Sequence, residues 1–269
     1  MNDLQTLGRL VGAWHISGGA EGTVTYGWME GGYASSMTTV LTMGGGTKLA
    51  KPLLVAKPVS ATASRWAQVS VLSGTLFFLI LCSLHLLQPE FDPTWRFISE
   101  YALGSFGWMM QLAFGLLAAA QISVAITILP QIRTITGYIG LGILGISAVG
   151  VLIAAVFVTD PISVSPVDAT FSGKMHSIGA MLDYTPVAAL LLSLSLARSN
   201  AWRPIRGRLF VSTGITLVAM IVFVLQIPQD GQFGPDVLAG LFGRLLIAAD
   251  LGWHLIVGLH ALKLRKQSL

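Results

Sequence analysis

Chemistry in this chain has few places to reside. His176 and Asp183 lie seven residues apart in a largely apolar stretch. At about 100° per residue that spacing puts them within about 20° of each other on one helical face. Gly179 and Ala180 lie between them on that face and leave it open. A carboxylate and an imidazole so placed could hold a proton, a cation or a polar headgroup, or could form a buried pair bonded to neighbouring helices. Arg244, in the last apolar run, calls for an acidic partner, and Asp183, Asp160 and Glu100 lie at compatible depth. It would bind substrate or form a structural ion pair. Ser99-Glu100 opens a helical face continued by Gly104, Gly107 and Gln111. A serine beside an acid can serve a nucleophile or a metal, or cap a helix. Asp160 ends a run in Val158-Thr159-Asp160-Pro161.

These readings define one candidate set. The catalytic candidates are Ser99, Glu100, Asp160, His176 and Asp183, and the substrate-binding candidates are Arg244, Asp183 and His176. His176 and Asp160 are the candidate metal ligands. Asp250 and His254 form an i, i+4 pair nearer the other end of the last run. Ligation of haem by His85 and His176, or of zinc by the two with an acid, has no HxxxH or HExxH spacing behind it. No cofactor is indicated by motif, and no Gly-rich phosphate loop follows a strand.

The elements that must position these residues are membrane helices. Of 269 residues, 54% are hydrophobic and 10% charged, and mean hydropathy is +0.73. A water-exposed surface needs roughly 25% charged residues, so lipid must cover most of this one. Six runs reach the roughly 20 apolar residues that span a bilayer: about 66–87, 105–129, 135–158, 175–197, 208–228 and 239–263. Lipid offers no partner to an open strand, so the runs are read as helices. The expected fold is all-α, a polytopic bundle over 65–269, with a poorly structured cytoplasmic extension over 1–64. The single cysteine, Cys82, excludes an intramolecular disulfide. No cleavable signal peptide is read, because residues 1–64 lack an apolar core segment.

Basic residues set the expected orientation. Lys48, Lys51, Lys57, Arg65, Arg133, Arg198, Arg203, Arg206, Arg208, Lys263, Arg265 and Lys266 flank one set of ends. The opposite loops hold only Arg96 and Lys174, with Glu90, Asp92, Glu100, Asp160, Asp168, Asp230 and Asp236. Both termini are therefore expected in the cytoplasm of a multi-pass cell-membrane protein. Basic clusters between apolar runs make no continuous patch for nucleic acid, and the expected partner is the bilayer. Gly137, Gly140, Gly142, Gly145 and Gly150 suggest that the third helix is central.

Two resemblances add to this. The opening, LGRLVGAWHISGGAEGTVTYGWMEGG, resembles the first strands of small lipocalin-like barrels, although too little chain precedes the first run to close one. The spanning part, about 66–265, resembles the DUF998 family of membrane proteins. The residues that carry this are Asp92-Pro93 with Ser99-Glu100 and Gly104, Phe157-Val158-Thr159-Asp160, Lys174-Met175-His176, and Gly243-Arg244 with Trp253. Val158 stands where that family usually has proline, and Asp250 and His254 match no family feature. The resemblance implies a fold and a site on these residues, and no activity.

Three functions stay open. The first is transport of a small solute or ion, which six helices would support as a homodimer, with Gln111, Gln121, Asp250 and His254 continuing the polar path inward. The second is a membrane-embedded hydrolase acting on a lipid or its headgroup. The third is a non-catalytic partner of another membrane protein.

Overall fold

The computed structural model describes residues 12–16, 21–28, 35–43, 46–49, 60–165, 167–228 and 231–266. The chain divides into two units, Met1–Lys57 and Pro58–Leu269.

In the first unit, β1 (Gly12–Ile16), β2 (Glu21–Trp28), β3 (Ser35–Met43) and β4 (Gly46–Leu49) form a four-stranded antiparallel meander in sequence order. Trp14 pairs with Val24, and Val24 with Thr39. Four strands are half of the roughly eight that close a barrel. The expectation of a poorly structured extension otherwise concerns residues outside those described.

In the second unit six helical segments are long and apolar enough to cross a membrane: Ala61–Leu87, Gly107–Gln131, Ile135–Val156, Phe171–Leu196, Asn200–Leu225 and Ala239–Arg265. Their regular helices are α1 (Ala61–Leu87), α2 (Gly107–Ile128), α3 (Ile135–Val156), α4 (Phe171–Met181), α5 (Thr185–Leu196), α6 (Arg206–Leu225) and α7 (Ala239–Lys266). Successive segments pack side by side, and α7 returns to α1, which closes a ring of six spans. Contacts between α2 and α7 cross its middle. The second span is the most enclosed, with 56% of its apolar window buried against 39% for the third. This corrects the expectation that the glycine-rich third helix is central. Gly142 and Gly145 of that helix face open space, whereas Gly150 presses on the backbone at Gly179 of α4.

The fourth span departs most from expectation. It begins at Phe171, earlier than 175, and its α-helix stops after Met181 and restarts at Thr185. Pro186 explains the interruption. It lacks an N–H, and in a continuous helix its ring would clash with the carbonyl of Leu182. The donors freed by the break find other partners, as backbone at membrane depth must. The Tyr184 N–H donates to Ser147 Oγ at 2.9 Å and the Thr185 N–H to Asp183 Oδ1 at 3.2 Å. The break falls near the middle of Phe171–Leu196, so Asp183 lies at mid-span and deeper than its expected place in the outer third.

Candidate functional site: a mid-bundle polar cluster

The predicted site residues fall into two groups. The first lies at the end of the bundle formed by loops 88–106 and 157–170 and the start of α7. There Glu100, fully buried, forms a bidentate ion pair with Arg96: Arg96 Nη2 to Oε1 at 2.8 Å and Nε to Oε2 at 3.1 Å. The Ile162 N–H also donates to Glu100 Oε1 at 2.9 Å. The pair raises the already high affinity of the Arg96 guanidinium for its proton. Hydrogen bonds from the Thr94 hydroxyl and N–H hold the Asp92 carboxyl below its usual range, with a smaller contribution from the charge of Arg244.

Among the described residues no carboxylate lies within ion-pair distance of Arg244. Its Nε donates to His85 Nε2 at 2.8 Å, and Nη1 donates to the carbonyls of Pro93, Arg96 and Gly240 at 3.0, 2.7 and 3.0 Å. Its Nη2 reaches the Tyr101 hydroxyl at 3.3 Å. The Leu241 N–H donates to the Thr94 carbonyl at 2.8 Å. Gly240 lies so close to the Arg96 backbone that a Cβ there would collide with it. Arg244 thus joins α7 to the loop before α2, where the sequence suggested an acidic partner.

Asp160 accepts from the Thr170 N–H and hydroxyl, both at 2.8 Å, and so steadies the start of α4. The His176 ring meets the Phe157 carbonyl through Nδ1 at 2.8 Å and packs edge-on against Phe114. Ser99 is buried in the turn Ile98–Leu103. Among the described residues no hydrogen bond joins Ser99 to His176, Asp160 or Asp183. No group of three His, Cys, Asp or Glu side chains among them could hold a metal.

The second group lies at mid-span and draws on four of the six spans. Gln121 comes from the second, Ser147 from the third, Asp183 and Thr185 from the break in the fourth, and Asp250 from the sixth. Gln121 Nε2 donates to Thr185 Oγ1 at 2.9 Å, and that hydroxyl donates onward to Asp183 Oδ1. Ser147 Oγ accepts from the Tyr184 N–H beside Asp183, and Asp250 of the sixth span lies at about the same height in its span. One turn beyond, His254 Nδ1 meets the Asp250 carbonyl at 2.8 Å.

The two groups differ in how fully they are satisfied. Four buried side-chain polar atoms among the described residues have no hydrogen-bond partner: Gln121 Oε1, Asp250 Oδ1, His254 Nε2 and Trp202 Nε1. Three of the four belong to the mid-bundle cluster. Buried polar atoms are normally paired, so a local concentration of unpaired ones calls for an explanation. Sequence reasoning ranked the outer residues first. It missed the roles of His85, Arg96, Ser147 and Thr185, and it left Pro186, the signal for the broken helix, unread.

A ring of six apolar spans around a polar middle defines a polytopic helical membrane protein. The chain belongs to the DUF998 family, described as a protein of unknown function, whose sequence profile matches residues 71–260. No curated protein and no solved structure matches the chain. The profile leaves the strands of the first unit uncovered, and no comparison supports a lipocalin-like origin for them.

Proposed function

We propose that this protein moves a small cation, a proton in the simplest case, across the membrane through the Asp183–Asp250 cluster. The observation that carries the proposal is the broken fourth span. What supports it is that the interruption falls at mid-span, where Asp183 stands at about the same height in its span as Asp250 and the unpaired atoms of Gln121, Asp250 and His254. Discontinuous helices whose breaks face a polar interior are a recurring way to build ion sites in transporters. Ionisable groups buried at that depth usually mark an ion or proton path. Two carboxyls can share a proton or coordinate a cation, and His254 one turn away offers a further relay group. The outer groups then serve as scaffold: Arg244 and the Arg96–Glu100 pair hold the loops over one mouth of the ring.

This reading takes both termini as cytoplasmic in the cell membrane, on the loop-charge asymmetry. It takes a homodimer as the working unit, since six spans are few for alternating access. The hydrolase reading has less behind it, because among the described residues no hydrogen bond joins Ser99 to His176, Asp160 or Asp183. The partner-protein reading leaves the unpaired mid-bundle atoms without a purpose.

The test is flux in proteoliposomes. Purified protein is reconstituted with a pH-sensitive dye inside and, in parallel, with sodium or potassium gradients. Wild type should dissipate one of these gradients faster than protein-free vesicles. Asp183→Asn and Asp250→Asn should each lower the initial rate at least ~10-fold while the protein remains monodisperse in detergent. No flux above empty vesicles for any of the three ions, or equal flux in wild type and both variants, would refute the proposal.

A further inference from the structure

A second polar feature lies at the opposite end of the bundle, on its outer surface. Arg198, in the turn after the fourth span, and Arg203 and Arg206, at the start of the fifth, are all exposed. They line a cleft of about 450 Å³ together with Ser199, Asn200 and Phe210. No carboxylate among the described residues lies within ion-pair distance of these guanidinium groups. Arg206 does pack over the Phe210 ring, 5.8 Å from its centroid.

Phe210 also begins a second concavity, an apolar groove of about 640 Å³ between α6 and α7. The groove runs along α6 from Phe210 past Gly214 and Val218 to Val222, with Leu245 and Ala249 of α7 on its other wall. At 1.5 Å per residue, Phe210 to Val222 covers roughly 18 Å. One leaflet of the hydrocarbon core is about 15 Å deep, half of about 30 Å. The groove is therefore as long as one acyl chain, and it starts at the basic cleft.

We propose that this cleft and groove form a binding site for one anionic glycerophospholipid, with its phosphate among Arg198, Arg203 and Arg206 and one acyl chain lying along α6 and α7. Guanidinium groups match phosphate oxygens in fork geometry and are weakly hydrated for a cation. Basic recesses beside spanning helices attract anionic headgroups. Charge alone would hold any phosphate; the continuous groove selects one that carries a chain. Gly214 helps form the recess, because a Cβ there would meet nothing within 4 Å. A larger side chain can therefore occupy the groove without disturbing the bundle.

Native mass spectrometry of the detergent-purified full chain tests this. The probes are phosphatidylglycerol, phosphatidylcholine with the same chains, and inorganic phosphate. Wild type should retain one phosphatidylglycerol in preference to phosphatidylcholine. The triple variant R198Q/R203Q/R206Q should bind it about 100-fold more weakly, about fivefold per arginine removed. Gly214→Leu should weaken phosphatidylglycerol binding while leaving any phosphate adduct unchanged. The proposal is overturned if phosphatidylcholine binds as well, if the triple variant keeps its lipid, or if Gly214→Leu has no effect on lipid. It is equally overturned if phosphate alone binds as tightly as the lipid, or if a second copy of the chain, trapped by cross-linking through Val218→Cys, covers the groove.

Discussion

Arg244 Nε donates to His85 Nε2 across 2.8 Å, which ties the end of the first span to the start of the sixth. A guanidinium only donates, so Nε2 of His85 must accept. The ring hydrogen is then on Nδ1, which donates to the Leu81 carbonyl at 2.7 Å. His85 is held as the Nδ1–H tautomer, and nitrogen NMR of protein labelled at histidine should show its Nε2 unprotonated. Lysine has one donor nitrogen and cannot reach His85, the Pro93 and Arg96 carbonyls and Tyr101 together. Arg244→Lys should therefore cost about 2 kcal/mol in reversible unfolding from detergent micelles. Unchanged stability would mean that these bonds do not hold the loop.

The Arg96–Glu100 pair is asymmetric, with side-chain exposures of 23% and 0%. Losing Arg96 strands a buried carboxylate, whereas losing the charge on Glu100 leaves an arginine that can still reach solvent. Arg96→Met should thus destabilise more than Glu100→Gln, by at least about 1 kcal/mol. The double variant should recover part of the loss, a coupling that a double-mutant cycle reads directly. Equal single-variant losses would argue against the burial difference.

Contact between the third and fourth spans depends on two glycines. A Cβ on Gly179 would press on the Gly150 carbonyl oxygen, and a Cβ on Gly150 would press on that of Gly179. Small residues permit such approach where no water drives association. Gly179→Val should force the helices apart and lower the yield of monodisperse protein, whereas Gly142→Val, at an open position, should not. Size-exclusion profiles of the two variants provide the comparison.

Orientation is tested by labelling. Cys82 is free and exposed, so Cys82→Ser gives a background for single introduced cysteines. Asp168 lies in an exposed turn before the fourth span, and Arg203, also exposed, at the start of the fifth, at the other end of the bundle. Asp168→Cys should react with an impermeant maleimide added outside intact cells, and Arg203→Cys only after the membrane is opened. Labelling of both from the same side would overturn the orientation drawn from the loop charges.

Much of the fold was legible in the sequence. Span length follows from bilayer thickness and span position from local hydropathy, so all six segments could be read, although the fifth begins at Asn200 and not at 208. The broken fourth helix was less visible, although Pro186 carries its signal, because prolines inside spanning segments are often absorbed by a kink. The site was only half legible. Asp183 stood out as an acid in an apolar run, but its partners came from the wrong end of the bundle.

Chain order and composition, then, determined that this protein has six membrane-spanning segments and carries Asp183, Asp250 and Arg244 within them. Tertiary structure decided which of them meet. Arg244 bonds His85 and three backbone carbonyls, and Asp183 accepts from Thr185, which in turn accepts from Gln121. Hydropathy leaves two quantities free in each helix, its rotation about its own axis and its height in the bilayer. Both are set by contacts between segments far apart in sequence, such as Gly150 against Gly179, and by the cost of leaving a polar group unpaired in a medium without water.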